Sequence, residues 1–293
     1  MVELRGAMAL IPTPMTETGE VDENGLRKLI DYDLENGCYA VGVFGAIGEG
    51  YLVSERQREK VIKIAVSQVE GKAPLIVGCP AMGTLDAIKL SQQAEHLGAG
   101  AILSFNPQGF RQYTNAELIE HYSMIAESVD IDIIPYSRLN DELSYEVVKM
   151  LVDKGAVRYL KYGTHSCEVF RALVEGLGDR LKILVGTDNF MLRHLLLGGS
   201  GVLTATCSIF PEESAAILSM IKEKRIDDAR RYYREKIIPW NDCAFYQNWQ
   251  AVHKYALHLM GIIESTKCLP PQAPLADYQM DEIKWLVENH NKA

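Results

Sequence analysis

The sequence predicts an α/β fold: a (β/α)8 TIM barrel with a C-terminal helical extension. Short apolar, β-rich runs alternate eight times with longer helical patterns, and eight strand-then-helix units is the number that closes into a barrel. The first apolar run ends in Pro12-Thr13-Pro14. Those prolines cannot make the glycine-rich phosphate loop that follows the first strand of a doubly wound sheet. After about Ile226 the strand signal stops.

Strands are expected near Ala7–Ile11, Ala40–Phe44, Leu75–Gly78, Ala101–Phe105, Ile131–Tyr136, Val157–Lys161, Ile183–Gly186 and Val202–Thr204. Helices are expected near Glu23–Glu35, Ser54–Val69, Thr84–Leu97, Asn115–Ser128, Tyr145–Lys154, Cys167–Gly176, Asn189–Leu197 and Pro211–Lys222. Ser54 before Glu55, and Asn115 before Glu117, put caps and acidic residues in first turns. Gly98 and Gly100 close the third helix. Gly198-Gly199-Ser200-Gly201 precedes the last strand, on the wrong face for a phosphate cradle, and reads as a tight turn. Three further helices are expected at Ile226–Ile238, Trp240–Gly261 and Met280–Asn289, broken by Pro239 and by Leu269-Pro270-Pro271. The chain thus divides into a catalytic barrel over 1–225 and helices packed on it over 226–293.

Composition narrows the function. The 293 residues are 47% hydrophobic and 24% charged, ordinary for a globular protein. A net charge of −9 argues against nucleic acid and anionic membrane as partners. Cys38, Cys79, Cys167, Cys207, Cys243 and Cys268 lie far apart with no CxxC pair. They read as reduced thiols of a cytoplasmic protein. The opening MVELRGAMALIPTP lacks a signal-peptide apolar core, and no apolar run is long enough for a bilayer. No His/Asp/Glu cluster has metal-ligand spacing, so no metal is expected.

Active sites of such barrels form at the C-terminal ends of the strands. That rule selects Gly45-Ala46-Ile47-Gly48-Glu49, Tyr136-Ser137-Arg138, Lys161 with Thr164 and His165, Gly186-Thr187-Asp188-Asn189, and Thr204 through Ser208. A lysine, a phenol, a guanidinium and a carboxylate therefore converge on one rim. Lys161 ends an apolar run, where desolvation lowers an amine's pKa and makes it a Schiff-base nucleophile. The phenol of Tyr136 can move protons and Arg138 can hold a carboxylate. Each has a plainer role open to it. Lys161 can snorkel to solvent, Tyr136 can be a rim aromatic, Arg138 can pair with a loop acid, and Asp188 can cap a helix. Glu49 fits binding of backbone amides better than catalysis. His165 reads as a solvated loop residue, and His253 and His258 as core or surface.

Taken together, these residues resemble the dihydrodipicolinate synthase/N-acetylneuraminate lyase family over nearly the whole chain. GAMALIPTPMTETGEVD at Gly6–Asp22 is similar to the family's opening strand and turn. Gly45–Glu49 stands in place of its GxTGE loop, and Tyr136 follows an apolar strand as its catalytic tyrosine does. Lys161 in LKYGT resembles its lysine strand, Gly186-Thr187-Asp188 its G-x-D turn, Gly198–Thr204 its GGxGxIS segment, and Leu269-Pro270-Pro271 its closing region. The resemblance implies a homotetramer, a dimer of dimers, that needs no metal or organic cofactor. It implies that Lys161 forms an imine with pyruvate or another 2-oxo acid and that Tyr136 shuttles protons. Ala46, Ile47, Gly48, Arg138, Thr187, Asp188, Thr204 and Ser208 are the expected substrate-binding residues.

The departures point within the family. Ala46 and Ile47 stand where it has two hydroxyl residues that grip the carboxylate and relay protons. Two lost hydroxyl bonds to a charged group cost roughly 1.5–3 kcal/mol each if nothing replaces them. Tyr136 is followed by Ser-Arg-Leu-Asn, closer to sugar-acid dehydratases. Phe105–Tyr113 lacks Pro-Tyr-Tyr, leaving Phe110 or Tyr113 in its place. The expectation is a Schiff-base aldolase or dehydratase acting, through a lysine imine, on pyruvate or a 2-oxo(-3-deoxy) sugar acid. The alternatives are an authentic dihydrodipicolinate synthase and a barrel that binds a 2-oxo acid without turnover.

Overall fold

In the computed structural model, residues 2–108, 111–244 and 248–290 are described. Among them the strands β1 (Gly6–Leu10), β2 (Ala40–Val43), β3 (Leu75–Cys79), β4 (Ala101–Ser104), β5 (Asp132–Arg138), β6 (Tyr159–Gly163), β7 (Lys182–Val185) and β8 (Gly201–Thr204) pair in chain order. All pairs are parallel, and β8 returns to β1 through Gly6↔Gly201 to Ala9↔Thr204, closing the barrel. Crossover helices α1 (Glu23–Glu35), α2 (Glu55–Val69), α3 (Thr84–His96), α4 (Asn115–Glu127), α5 (Tyr145–Asp153), α6 (Cys167–Leu177), α7 (Met191–Leu196) and α8 (Pro211–Lys222) follow the strands. The expected (β/α)8 barrel is the fold.

Strand alternation sorts the core into two shells. Met8, Leu10, Ile76, Leu103, Ile134, Tyr159, Leu184 and Leu203 fill the barrel interior. Ala7, Ala9, Val77, Ile133, Leu160, Tyr162 and Val185 point outward into the layer shared with the helices. Gly42 is required by this packing, since a Cβ there would lie 2.5 Å from the Leu10 side chain. The Tyr159 hydroxyl, at the N-terminal end of the barrel, is satisfied by the Leu4 N–H at 3.1 Å.

Several boundaries differ from expectation for local reasons. Both β5 and β6 run two residues further, because the ladder continues through Tyr136↔Lys161 to Arg138↔Gly163. Helix α4 is capped by Thr114 rather than Asn115. The Thr114 hydroxyl accepts from the Glu117 N–H, and the Glu117 carboxylate accepts from the Thr114 N–H, a reciprocal capping box. The expected helix over Asn189–Leu197 begins instead with a 3-10 turn, Asp188–Phe190. The GGSG segment is a turn between α7 and β8, with Gly198 at φ +112°.

The C-terminal extension holds the largest correction. Pro239 does not end a helix. Instead α9 (Ile226–Tyr232) passes through one π turn, Tyr233–Ile237, into α10 (Ile238–Ala244). The Ile238 N–H reaches the Tyr233 carbonyl, five residues back. That wider turn directly precedes Pro239, which has no N–H to offer an α ladder. The expected helix Trp240–Gly261 is divided, with α11 (Trp249–Leu259) capped by the Asn248 side chain. Residues 260–276 carry no helix, as the prolines predict, and α12 starts earlier than expected, at Asp277 (Asp277–Asn289). No described helix is long and apolar enough to cross a membrane.

Candidate active site

Lys161 lies on the same strand face as Tyr159, two residues on, and so points into the barrel rather than to solvent. Only 4% of it is exposed. Gly186, just past the end of β7, leaves room for it: a Cβ there would lie 2.7 Å from the Lys161 Cε. Tyr136, register partner of Lys161 on β5, covers the amine, with Nζ 3.9 Å from the ring centre. Tyr136 is held edge-on by Phe105 at 5.8 Å and packs over Gly163, where a Cβ would lie 2.9 Å from the phenol oxygen.

Burial sets the electrostatics. It pulls the Lys161 amine down to about 7, assisted by the Arg138 charge and opposed by Asp188 and Cys207. Burial likewise lifts Tyr136 to about 12, so its phenol is protonated at neutral pH. The Asp188 carboxyl is raised by burial, while the Thr204 and Thr206 hydroxyls and the Lys161 charge pull it back. Near neutral pH the rim thus offers an amine with a free lone pair beside a proton donor.

A cavity of about 380 Å³ opens above Lys161. Of the expected residues, Ala46, Ile47, Tyr136, Lys161, Thr187, Asp188 and Thr204 line it. Gly48, Arg138 and Ser208 do not. Gly48 is locked against the Phe44 backbone, 2.8 Å from a hypothetical Cβ. Arg138 pairs with Asp141. Ser208 is fully buried and turns toward Asp33. Phe110 falls outside the described residues, and Tyr113 lies under the Arg111 guanidinium at 4.5 Å.

The loop after β2 is held from the C-terminal extension. Glu49, at φ +54°, forms an ion pair with Lys254 of α11, both fully buried. Glu49 also accepts the Leu269 N–H at 2.7 Å, and Lys254 donates to the Lys267 carbonyl at 2.7 Å. Gln250 donates to the Ala46 carbonyl. The Ala46 and Ile47 N–H groups have no partner among the described residues. On the opposite rim, Tyr233 in the π turn donates to the Asp188 carbonyl at 2.6 Å.

Sequence reasoning missed four wall residues. Asn241, Ala244, Trp249 and His253 line the cavity from α10 and α11. Nothing local marks them, because their placement depends on how the extension folds back over the rim. His165, read as a solvated loop residue, also lines the cavity and stacks on Phe190 at 4.5 Å. The described residues contain no group of side chains able to hold a metal ion, and all six cysteines are free.

Residues 3–290 match the family model described as the dihydrodipicolinate synthetase family. A 4-hydroxy-tetrahydrodipicolinate synthase of Syntrophobacter fumaroxidans is 32% identical over 276 residues, 93% of this chain and 94% of that one. The dihydrodipicolinate synthase of Thermotoga maritima superposes with a TM-score of 0.93 at 26% identity, over 99% of each chain. A prophage protein of Escherichia coli, solved in complex with pyruvate, superposes with a TM-score of 0.93 over 100% of both chains. Its 24% identity makes that a likeness of fold.

Proposed function

This chain belongs to the dihydrodipicolinate synthetase family, an enzyme family of lyases, and from that premise we propose that it is a Schiff-base aldolase or dehydratase acting on a 2-oxo sugar acid. The observation that carries the reading is the enclosed Lys161 amine beneath the Tyr136 phenol. The neutral amine attacks the C2 carbonyl, forming the N–C2 bond. The C2 oxygen takes one proton from the amine nitrogen and one from Tyr136 and leaves as water. The C2–O bond breaks as the nitrogen lone pair forms C2=N, which leaves Tyr136 as a phenolate. The resulting iminium draws electrons from C3. The Tyr136 phenolate takes a C3 proton to give an enamine, or takes the C4 hydroxyl proton as the C3–C4 bond of a hydroxylated chain breaks and C4 becomes a carbonyl. From the enamine, expulsion of a C4 hydroxyl completes a dehydration.

The substrate carboxylate sits at the unpartnered N–H groups of Ala46 and Ile47, in place of the missing hydroxyls. Thr187, Asp188 and Thr204 line the chain-binding side. The apolar Ala46–Ile47 pair and Tyr136-Ser-Arg favour a sugar acid over aspartate semialdehyde as co-substrate. The second reading, an authentic 4-hydroxy-tetrahydrodipicolinate synthase, is supported by the name of the 32% identical relative. In solution we expect a homotetramer, which sedimentation tests directly.

Borohydride trapping with pyruvate, read by intact mass and peptide mapping, tests the chemistry. An adduct on Lys161 supports the imine, and its absence with every 2-oxo acid tried overturns it. Turnover of pyruvate with aspartate semialdehyde then separates the synthase from the sugar-acid enzyme. Saturable binding with no turnover on either leaves a binding barrel.

A further inference from the structure

Two residues of the cavity wall each carry a buried polar atom without a hydrogen-bond partner among the described residues, and the two atoms are complementary in chemistry. The His253 Nδ1 lies 2.7 Å from the Trp249 carbonyl oxygen. A carbonyl only accepts, so Nδ1 carries the hydrogen. Burial lowers this imidazole to about 4, so the ring is neutral and its Nε2 is a bare acceptor. That Nε2 is buried without a hydrogen bond among the described residues. The ring is fixed between the edges of Trp240 and Trp249, at 5.3 and 6.4 Å. Asn241 is oriented by Thr206, whose hydroxyl donates to its Oδ1 at 3.3 Å. Its Nδ2 is therefore directed elsewhere, a donor that is also buried and unpartnered.

Unpaired buried donors and acceptors are costly and native structures hold few of them. A hydroxyl group offers one donor and an acceptor oxygen, the complement of this pair. The methyl of pyruvate offers neither. We propose that Asn241 and His253 form a hydroxyl-binding subsite, and that the cavity takes a polyhydroxylated acid in preference to an unsubstituted one. This rests on the Lys161 cavity being the substrate site, and it adds the C-terminal extension to the barrel-loop residues that face the substrate chain.

The experiment compares two six-carbon probes by calorimetric titration: a 2-oxo-3-deoxyhexonate and 2-oxohexanoate, which lacks the hydroxyls. Wild type should bind the hydroxylated acid about tenfold more tightly, the size of one good hydrogen bond lost with its partner left buried. In Asn241→Leu and His253→Phe, near-isosteric and unable to donate or accept, that ratio should fall toward one. His253→Gln, which keeps an acceptor, should preserve most of it. Equal wild-type affinities, binding of neither probe, or a ratio unchanged in both variants would each overturn the subsite. Borohydride trapping in wild type keeps the two ideas apart. A preference without a Lys161 adduct leaves the subsite standing and removes the imine. An adduct without a preference does the reverse.

Discussion

Lys161→Met should make the protein more stable, with a pH dependence that identifies the cause. The lysine is 4% exposed, and burial takes its amine from 10.5 to about 7. Below pH 7 the folded protein must hold a charged amine that the unfolded chain keeps in water. At roughly 1.4 kcal/mol per pKa unit, that penalty is about 5 kcal/mol. Between pH 7 and 10.5 the unfolded chain binds the extra proton, so wild-type stability rises with pH. Methionine fills a similar space without the charge. Denaturant unfolding of both proteins at pH 6, 8 and 9.5 should show the variant ahead by several kcal/mol at pH 6. The gap should narrow by roughly 1.4 kcal/mol per unit above pH 7. A gap independent of pH, or a less stable variant, would refute the idea that the amine is held at the expense of the fold.

The same titration governs reactivity: the rate of pyruvate trapping should climb with pH through about 7 and then level. Asp188→Asn removes a charge that holds the amine up, so the break should move to lower pH; a break near 10 in wild type would contradict the assignment. Gly163→Ala places a methyl 2.7 Å from the Tyr136 ring, and trapping should slow at least tenfold, by roughly the contribution of one general acid, with helix content by circular dichroism unchanged. An unaltered rate would remove Tyr136 from the chemistry. Lys254→Met leaves Glu49 buried with only the Leu269 N–H and should cost about 3–5 kcal/mol. Adding Glu49→Gln should recover part of that, and a double variant no more stable than the single one would argue against a paired charge.

The barrel was legible because its rule is periodic and local. Apolar runs and capped helices repeat, and the strand-end rule then selects Lys161 and Tyr136 without any neighbour being known. Strand ends were less legible, since β5 and β6 extend through a ladder that depends on each other's register. The π turn was invisible because Pro239 alone signals a break, and only the Ile238–Tyr233 bond shows how the helix continues. The four cavity-wall residues of the extension escaped for a tertiary reason. Asn241 and His253 sit on amphipathic helices whose sequence says which side is buried, not what it is buried against. Arg138 was misplaced for the opposite reason: the strand-end rule puts it at the rim, but Asp141, three residues on, captures its guanidinium before it can reach the cavity.

The tie between Glu49 and Lys254 has a consequence for how the protein is made. A ribosome that has delivered β1 must deliver nearly two hundred further residues before Gly201–Thr204 arrives to pair with it. The loop after β2 waits longer still, for Lys254 and then for Leu269. Chains that stop short could close the staves of the barrel but would leave Glu49 unpaired and Asn241 and His253 absent from the wall. The cavity above the Lys161 amine is therefore walled on all sides only when the last quarter of this sequence has been translated.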